Sequence, residues 1–227
     1  MRSKQSGFTL VEIAIVLVII GLLLGGVLKG QELINSAKVK NMINDFRSTS
    51  TFVFAYQDRF RALPGDDTRA NANHGGVTAT TPAATLGNAR INGAWNSLTK
   101  TDETYLFWNH VRLAGLATGD PGVPAGAAVA ADLYNPRNAD GGRMGITGDQ
   151  VANGWVGNFF ICSSGIQGRF ARQIDTTIDD GNTSTGTVRV LGDNTGGEVA
   201  GGAAAANTVY QVVAADDAVL FTVCVAY

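Results

Sequence analysis

Histidine is almost missing from this chain of 227 residues: His74 and His110 are the only two, and neither stands at a metal-ligand spacing from Cys, His, Asp or Glu. No Gly-x-Ser-x-Gly motif and no phosphate loop occurs. These absences leave catalysis with little to work with, and we expect a protein that is not an enzyme. A basic excess is missing too, since 17 basic residues face 19 acidic ones, so the electrostatic footprint of a nucleic-acid binder is absent. Arg59, Arg61 and Arg69 do gather near Tyr56 and Phe60. A solvated helix end accounts for them, with local DNA contact as the other reading. Proline is absent before Pro64, so nothing in the first 63 residues breaks a helix, and charge is absent from residues 13–28.

What the chain does have is a long apolar run with one acid at its entrance. Lys4-Gln5-Ser6-Gly7-Phe8-Thr9-Leu10-Val11-Glu12 leads into residues 13–28, which are almost uninterrupted apolar side chains. A carboxylate near the bilayer core costs roughly 2.5–3.5 kcal/mol on insertion scales, so Glu12 needs a function and a partner. Residues 8–28 make about 30 Å of helix, enough to cross the hydrocarbon layer. A secretory signal would place a small-residue cleavage site after the run; here Ser6-Gly7 precedes it, and Gly25-Gly26-Val27-Leu28-Lys29 continues into helix-compatible sequence. Flanking charge alone does not orient the span, because Arg2 and Lys4 on one side face Lys29, Lys38 and Lys40 against Glu32 on the other. Gly21 and Gly25 form a GxxxG pair that suits close helix packing or local melting, ordinary tolerance of glycine in a span being the alternative.

On these residues the first 28 positions resemble the class III prepilin signal of type IV pilins and type II secretion pseudopilins. The resemblance implies cleavage between Gly7 and Phe8 by a membrane prepilin peptidase, N-methylation of Phe8 by the same enzyme, and a role for Glu12, fifth after the cut, in subunit assembly. In that family the acid pairs with the N-terminal amine of a neighbouring subunit. Where many members carry a proline, this chain has Lys29, a departure from the commonest major subunits. The implied partners are other pilin subunits in a helical polymer, an inner-membrane platform protein, an assembly ATPase, and the membrane before assembly. The implied location is the inner membrane, N-terminus cytoplasmic and head periplasmic, then a periplasmic or cell-surface filament.

Beyond the span the helical period continues in a different solvent. Val39, Met42, Ile43, Phe46, Val53 and Phe60 recur at three- and four-residue intervals or their sums, with Ser50 and Gln57 filling the stripe. A single helix from Phe8 to about Phe60 would be roughly 80 Å long, ended by Pro64-Gly65-Asp66-Asp67. We expect residues 62–96 to be a long surface loop and residues 102–114 a second helix capped by Thr101. Tyr105, Leu106, Trp108, Val111 and Leu113 would anchor that helix. Residues 119–154 read as loop with room for one short strand. Residues 155–162, 187–191, 208–213 and 218–225 read as strands, and 170–177 as a short helix. The fold class is α+β. The resemblance makes it pilin-like, with a long N-terminal helix packed on an antiparallel sheet. The chain divides into a leader 1–7, an assembly half 8–28, an amphipathic half 29–61 and a globular head 62–227.

Cys162 and Cys224, an even count placed beside expected strands, suit one disulfide in an exported head, two buried thiols being the alternative. A late cysteine paired back to an earlier strand also resembles the C-terminal loop of many pilins. With the leader removed, taking Arg2 and Lys4, 15 basic residues face 19 acidic ones. No cofactor is expected. The Asp66-Asp67, Asp179-Asp180 and Asp216-Asp217 pairs suit turns and surface charge; calcium held between loops is the alternative, as in some pseudopilins, although no EF-hand pattern occurs. The reading is a filament subunit of a pilus, type II secretion or competence system. Its alternatives are a minor or tip subunit that binds a surface, substrate or DNA, and, remotely, a membrane-anchored periplasmic enzyme.

Overall fold

The computed structural model describes residues 9–124, 132–192 and 207–227; Gly7 and Phe8 lie outside them. Helix α1 covers Leu10–Phe60, α2 Ala70–His74 and α3 Glu103–Leu113; β1 covers Met144–Thr147 and β2 Phe160–Gln167. Helix α4 covers Gly168–Ile178, β3 Val188–Leu191 and β4 Leu220–Ala226. The chain forms two compact units, Met1–Lys40 and Asn41–Tyr227.

In the second unit the described strands make one antiparallel sheet in the order β1-β2-β4-β3. Strand β2 is buried almost throughout, and β3 and β4 nearly so. A sheet covered on both faces needs continuous apolar runs rather than alternation, which is why these strands are so rich in Val, Ile and Phe. Trp95, Val151, Ala152, Trp155, Phe160 and Leu191 pack around Cys162 and Cys224 in the core. Helix α4 lies against β2, β3 and β4, and α3 against β1.

Helix α1 brings its own stripe into this unit. Met42, Ile43, Phe46, Thr49, Val53 and Tyr56 are buried, spaced by three or four residues after Ile43. Gln57, expected in the stripe, is exposed, and Tyr56 takes the inward place. A tyrosine can be buried there because its hydroxyl finds a partner in Asp67. The helix stops at Arg61, whose φ of 56° is left-handed and whose amide returns to Gln57 O at 2.9 Å.

Four expectations are corrected. Residues 208–213 form no strand: around the single bridge of Val209 to Leu191, Gly192 N donates to Thr208 O and Tyr210 N to Val190 O, and beyond them the Thr183 hydroxyl donates to Tyr210 O and accepts from Val212 N. The strand expected at 155–162 begins at Phe160 and runs on to Gln167 through a register shift between Ser163 and Ile166. Gly165, at φ 68°, supplies the bend. Within the expected 62–96 loop the short α2 forms, and the N-cap position of α3 is held by Asp102 rather than Thr101, with no side-chain cap hydrogen bond. Every residue of α3 from Glu103 to Val111 is buried, while Leu113 is only half-buried.

Candidate functional site

The first described turn of α1 holds the acid that the sequence singles out. Thr9 precedes the helix, and its backbone N–H donates to Glu12 Oε2 at 2.8 Å while its hydroxyl donates to the same oxygen at 2.7 Å. The Glu12 amide donates in return to Thr9 Oγ1 at 3.2 Å. This is a capping box, in which residues three apart satisfy each other's open helix-end groups. The positive end of the helix dipole favours the same carboxylate. Glu12 therefore has a partner within its own chain, using Oε2. The Thr-x-x-Glu spacing that announces such a box stood in the sequence, and Thr9 is the residue that the motif reading missed.

From this cap the helix presents apolar side chains with none of the described residues over them. The best 18-residue window of α1 is wholly unburied, and the helix is long and apolar enough to cross a membrane. Leu22 keeps 73% of its surface and Leu28 67%. A Cβ built at Gly21, Gly25, Gly26 or Gly30 would meet nothing within 4 Å. The run closes with Lys29 donating to Glu32 at 2.7 Å, an exposed pair of little energetic weight.

The two histidines, 36 positions apart in sequence, are brought together in the second unit with ring centroids 5.3 Å apart. Tyr56 Oη donates to Asp67 Oδ2 at 2.8 Å and lies 2.6 Å from His74 Nε2. Gly65 N donates to His110 Nδ1 at 2.8 Å, so Nε2–H donates to Val77 O at 2.7 Å. Burial pushes His110 down to about 4, so the ring is neutral at physiological pH. Burial raises Asp67, but the Tyr56 hydroxyl, the Arg69 amide and Asn73 outweigh it and hold the carboxyl below its ordinary value. Both nitrogens of His110 are spent on backbone. The cluster locks the end of α1 to α3 and offers no open nucleophile and base. With Tyr56 buried, the basic and aromatic group around Arg59 is not an open stacking surface. Arg59 instead donates to Ala114 O at 2.9 Å, and Arg61 faces Asp58 in solvent.

Beside this cluster Glu103 is wholly buried, with Asn92 N donating to Oε2 at 2.7 Å and Oε1 lacking a partner. Burial pushes its carboxyl up to about 8, and Asp66, Asp149 and Asp102 add to the shift against the Asn92 amide.

The three aspartate pairs differ in what they do. Asp66 accepts the amides of Gly87 and Ala89, and Asp67 is spent as described. Asp216 accepts Val213 N, and Asp217 pairs with Arg172. Asp179 and Asp180 are joined by Asp175, and one carboxylate oxygen of each lies within 4.8 Å of the others. Cys162 and Cys224 stand directly opposite in the β2–β4 register and are bonded, their Cα atoms 4.1 Å apart.

Residues 2–28 match the family described as the prokaryotic N-terminal methylation motif. No curated protein and no solved structure matches the chain.

Proposed function

We propose that this chain, which opens with the class III prepilin signal of type IV pilins and pseudopilins, is a structural subunit of a type IV pilus-like or type II secretion filament. The observation that carries the proposal is the methylation motif over residues 2–28, continuous with a helix whose apolar surface is uncovered. The motif supports a pilin-like precursor processed by prepilin peptidase, and the helix supports anchoring in the membrane by a single span. In this reading the peptidase cuts between Gly7 and Phe8 and methylates the new amine of Phe8. The head, with its disulfide, faces the periplasm. A platform protein and an ATPase then move the subunit out of the bilayer into a polymer.

Glu12 is the residue on which assembly turns. Its carboxylate sits at the edge of an apolar column, where opposite charges attract strongly once water is gone. The amine of Phe8 on an incoming subunit supplies the countercharge, and Oε2 remains held by Thr9 in the meantime. Capping and charge pairing are separable, because glutamine keeps the capping box and loses the charge. We expect Glu12→Ala and Glu12→Gln to be cleaved normally after Gly7, as read by the mass of the mature N-terminus. Both should enter sheared filaments at least about tenfold less than wild type. Normal incorporation of Glu12→Gln would leave capping as the whole role of Glu12 and refute the pairing.

A second reading, a minor or tip subunit whose head binds a surface, a secreted substrate or DNA, draws support from Lys29 at the place where many major subunits carry proline. Quantitative mass spectrometry of purified filaments separates the two, since a major subunit repeats along the fibre and a minor one is scarce.

A further inference from the structure

Asn182-Thr183-Ser184 is the only Asn-x-Ser/Thr triplet in the 227 residues, and its middle residue is not proline. In an exported protein such a triplet is an acceptor for sugar transfer to the asparagine amide, and it belongs on a surface loop. Here it stands between α4 and β3, in a turn that opens with Asp180. The Asn182 backbone N–H donates to Asp180 Oδ1 at 2.8 Å, and the Thr185 hydroxyl donates to Asp180 Oδ2 at 2.9 Å.

The three residues face different ways. Thr183 is wholly buried: its hydroxyl donates to Tyr210 O at 3.0 Å and accepts from Val212 N at 2.8 Å, while its carbonyl accepts from Val190 N at 2.9 Å. These bonds pin the loop to its neighbours and leave Asn182 exposed. Ser184 N donates to Asn182 Oδ1 at 3.1 Å, and the Ser184 hydroxyl donates to the same oxygen at 2.7 Å. A backbone N–H can only donate, so the atom it meets is the oxygen. Nδ2 of Asn182 is left with no partner among the described residues. An amide nitrogen is a poor nucleophile because it shares its lone pair with the carbonyl. Two donors on Oδ1 polarise the amide and make an Nδ2 proton easier to remove.

We propose that Asn182 is an N-glycosylation site whose donor is an oligosaccharide carried on a polyprenyl diphosphate. Nδ2 attacks C1 of the first sugar, the bond from C1 to the diphosphate oxygen breaks, and the lipid diphosphate leaves with its electron pair. The proton lost from Nδ2 goes to a base of the transferase, leaving one N–H on the linked amide. The inference rests on the export of the head in the filament reading, because donor and acceptor must meet on the same side of the membrane. Strand β3 is an end strand of the described sheet, and an open strand edge can pair with other chains. A glycan at the entrance to β3 screens that edge with a bulky, soluble group.

The test is mass spectrometry of the native chain, extracted from its own membranes in detergent and digested without reduction. The peptide that holds Asn182 should carry a glycan, located on that residue by fragmentation. Asn182→Gln and Ser184→Ala, expressed in the same cells, should lower its occupancy at least about tenfold, whereas Ser184→Thr, which keeps the hydroxyl, should retain it. The threonine variant separates recognition of the hydroxyl from damage to the turn. The Cys162–Cys224 bond in the same digest reports export. A bare Asn182 in oxidised chains overturns the proposal and leaves the filament reading standing; a bare Asn182 in reduced chains overturns the export on which both rest. A glycan retained in Asn182→Gln also overturns the proposal.

Discussion

Between residues 10 and 28 of α1 the apolar side chains are the exposed ones, Leu22 at 73% and Leu24 at 59%. Between residues 42 and 56 of the same helix most of them are covered, with Phe46 and Tyr56 at 0%, while Phe54 stays exposed. Both stretches are helical; after Glu12 the first is aliphatic and glycine throughout, while the second sets Met42, Ile43 and Val53 among aromatic and polar side chains. The first is apolar on every side; the second is apolar along a stripe and polar elsewhere. A helix that is apolar all round must be surrounded by something that is not water, and none of the described residues covers it. The second stretch draws its stability from within the molecule, the first from lipid or from other copies.

That contrast can be broken by mutation, and the sharpest attempt is in the covered stretch. Phe46→Ala should destabilise the head by about 3–5 kcal/mol, because it removes a fully buried ring and leaves a cavity. Leu22→Ala should leave the unfolding of the same detergent-solubilised protein unchanged. Equal effects in a denaturant titration would show that the two stretches are not energetically distinct.

Removing the disulfide with a Cys162→Ala, Cys224→Ala double variant should cost about 2–5 kcal/mol, near the roughly 4 kcal/mol that the chain-entropy model assigns to a loop of this size. Chemical denaturation under non-reducing conditions checks it. Filament entry should suffer only as far as the head unfolds, since the disulfide lies outside the exposed stretch.

Glu103 makes the head's stability depend on pH. Its carboxyl is raised from 4.5 to about 8 in the folded state, so the native chain keeps a proton that the unfolded chain has lost. Its contribution is full below about 4.5 and declines as pH rises toward 8, by something on the order of 3 kcal/mol. Glu103→Gln should flatten the decline over that window, as read from denaturation midpoints at several pH values. An unchanged slope would assign the dependence to other groups.

The smallest effect belongs to Gly25. With nothing within 4 Å of its Cβ position, Gly25→Ala should alter the unfolding of the single chain by no more than about 1 kcal/mol, in the stabilising direction that helix propensity favours. A loss of filament yield in the same variant would place the need for glycine between subunits; unimpaired yield would show simple tolerance.

Much of this was legible in the sequence because it rests on local patterns. The unbroken helix to Phe60 follows from the absence of proline, and α3 and α4 stand close to where the sequence pattern put them, although the expected Thr101 cap is not used and neither helix has a side-chain cap hydrogen bond. The choice of Tyr56 over Gln57 was not legible, since the partner that makes a buried tyrosine acceptable, Asp67, comes from the next loop. Residues 208–213 have strand composition, yet after two bonds to β3 the pairing stops, because the Thr183 hydroxyl, far away in sequence, takes Tyr210 O and Val212 N. The Ser163-Ser164-Gly165 segment looks like a turn and is the bulged middle of β2, covered from both sides. At the candidate site, the Thr9-x-x-Glu12 spacing was readable. The meeting of His74 with His110 was not, because no pattern within one element encodes it.

The opposition of Cys162 and Cys224 in the β2–β4 ladder has a consequence for how the head matures. A slip of one residue in this pairing would turn Cys224 to the other face of the sheet, out of reach of Cys162. Oxidation can therefore capture only the correctly registered sheet, and it acts as a proofreading step. A head that has gained the bond carries a covalent record that its last strand arrived in the right place.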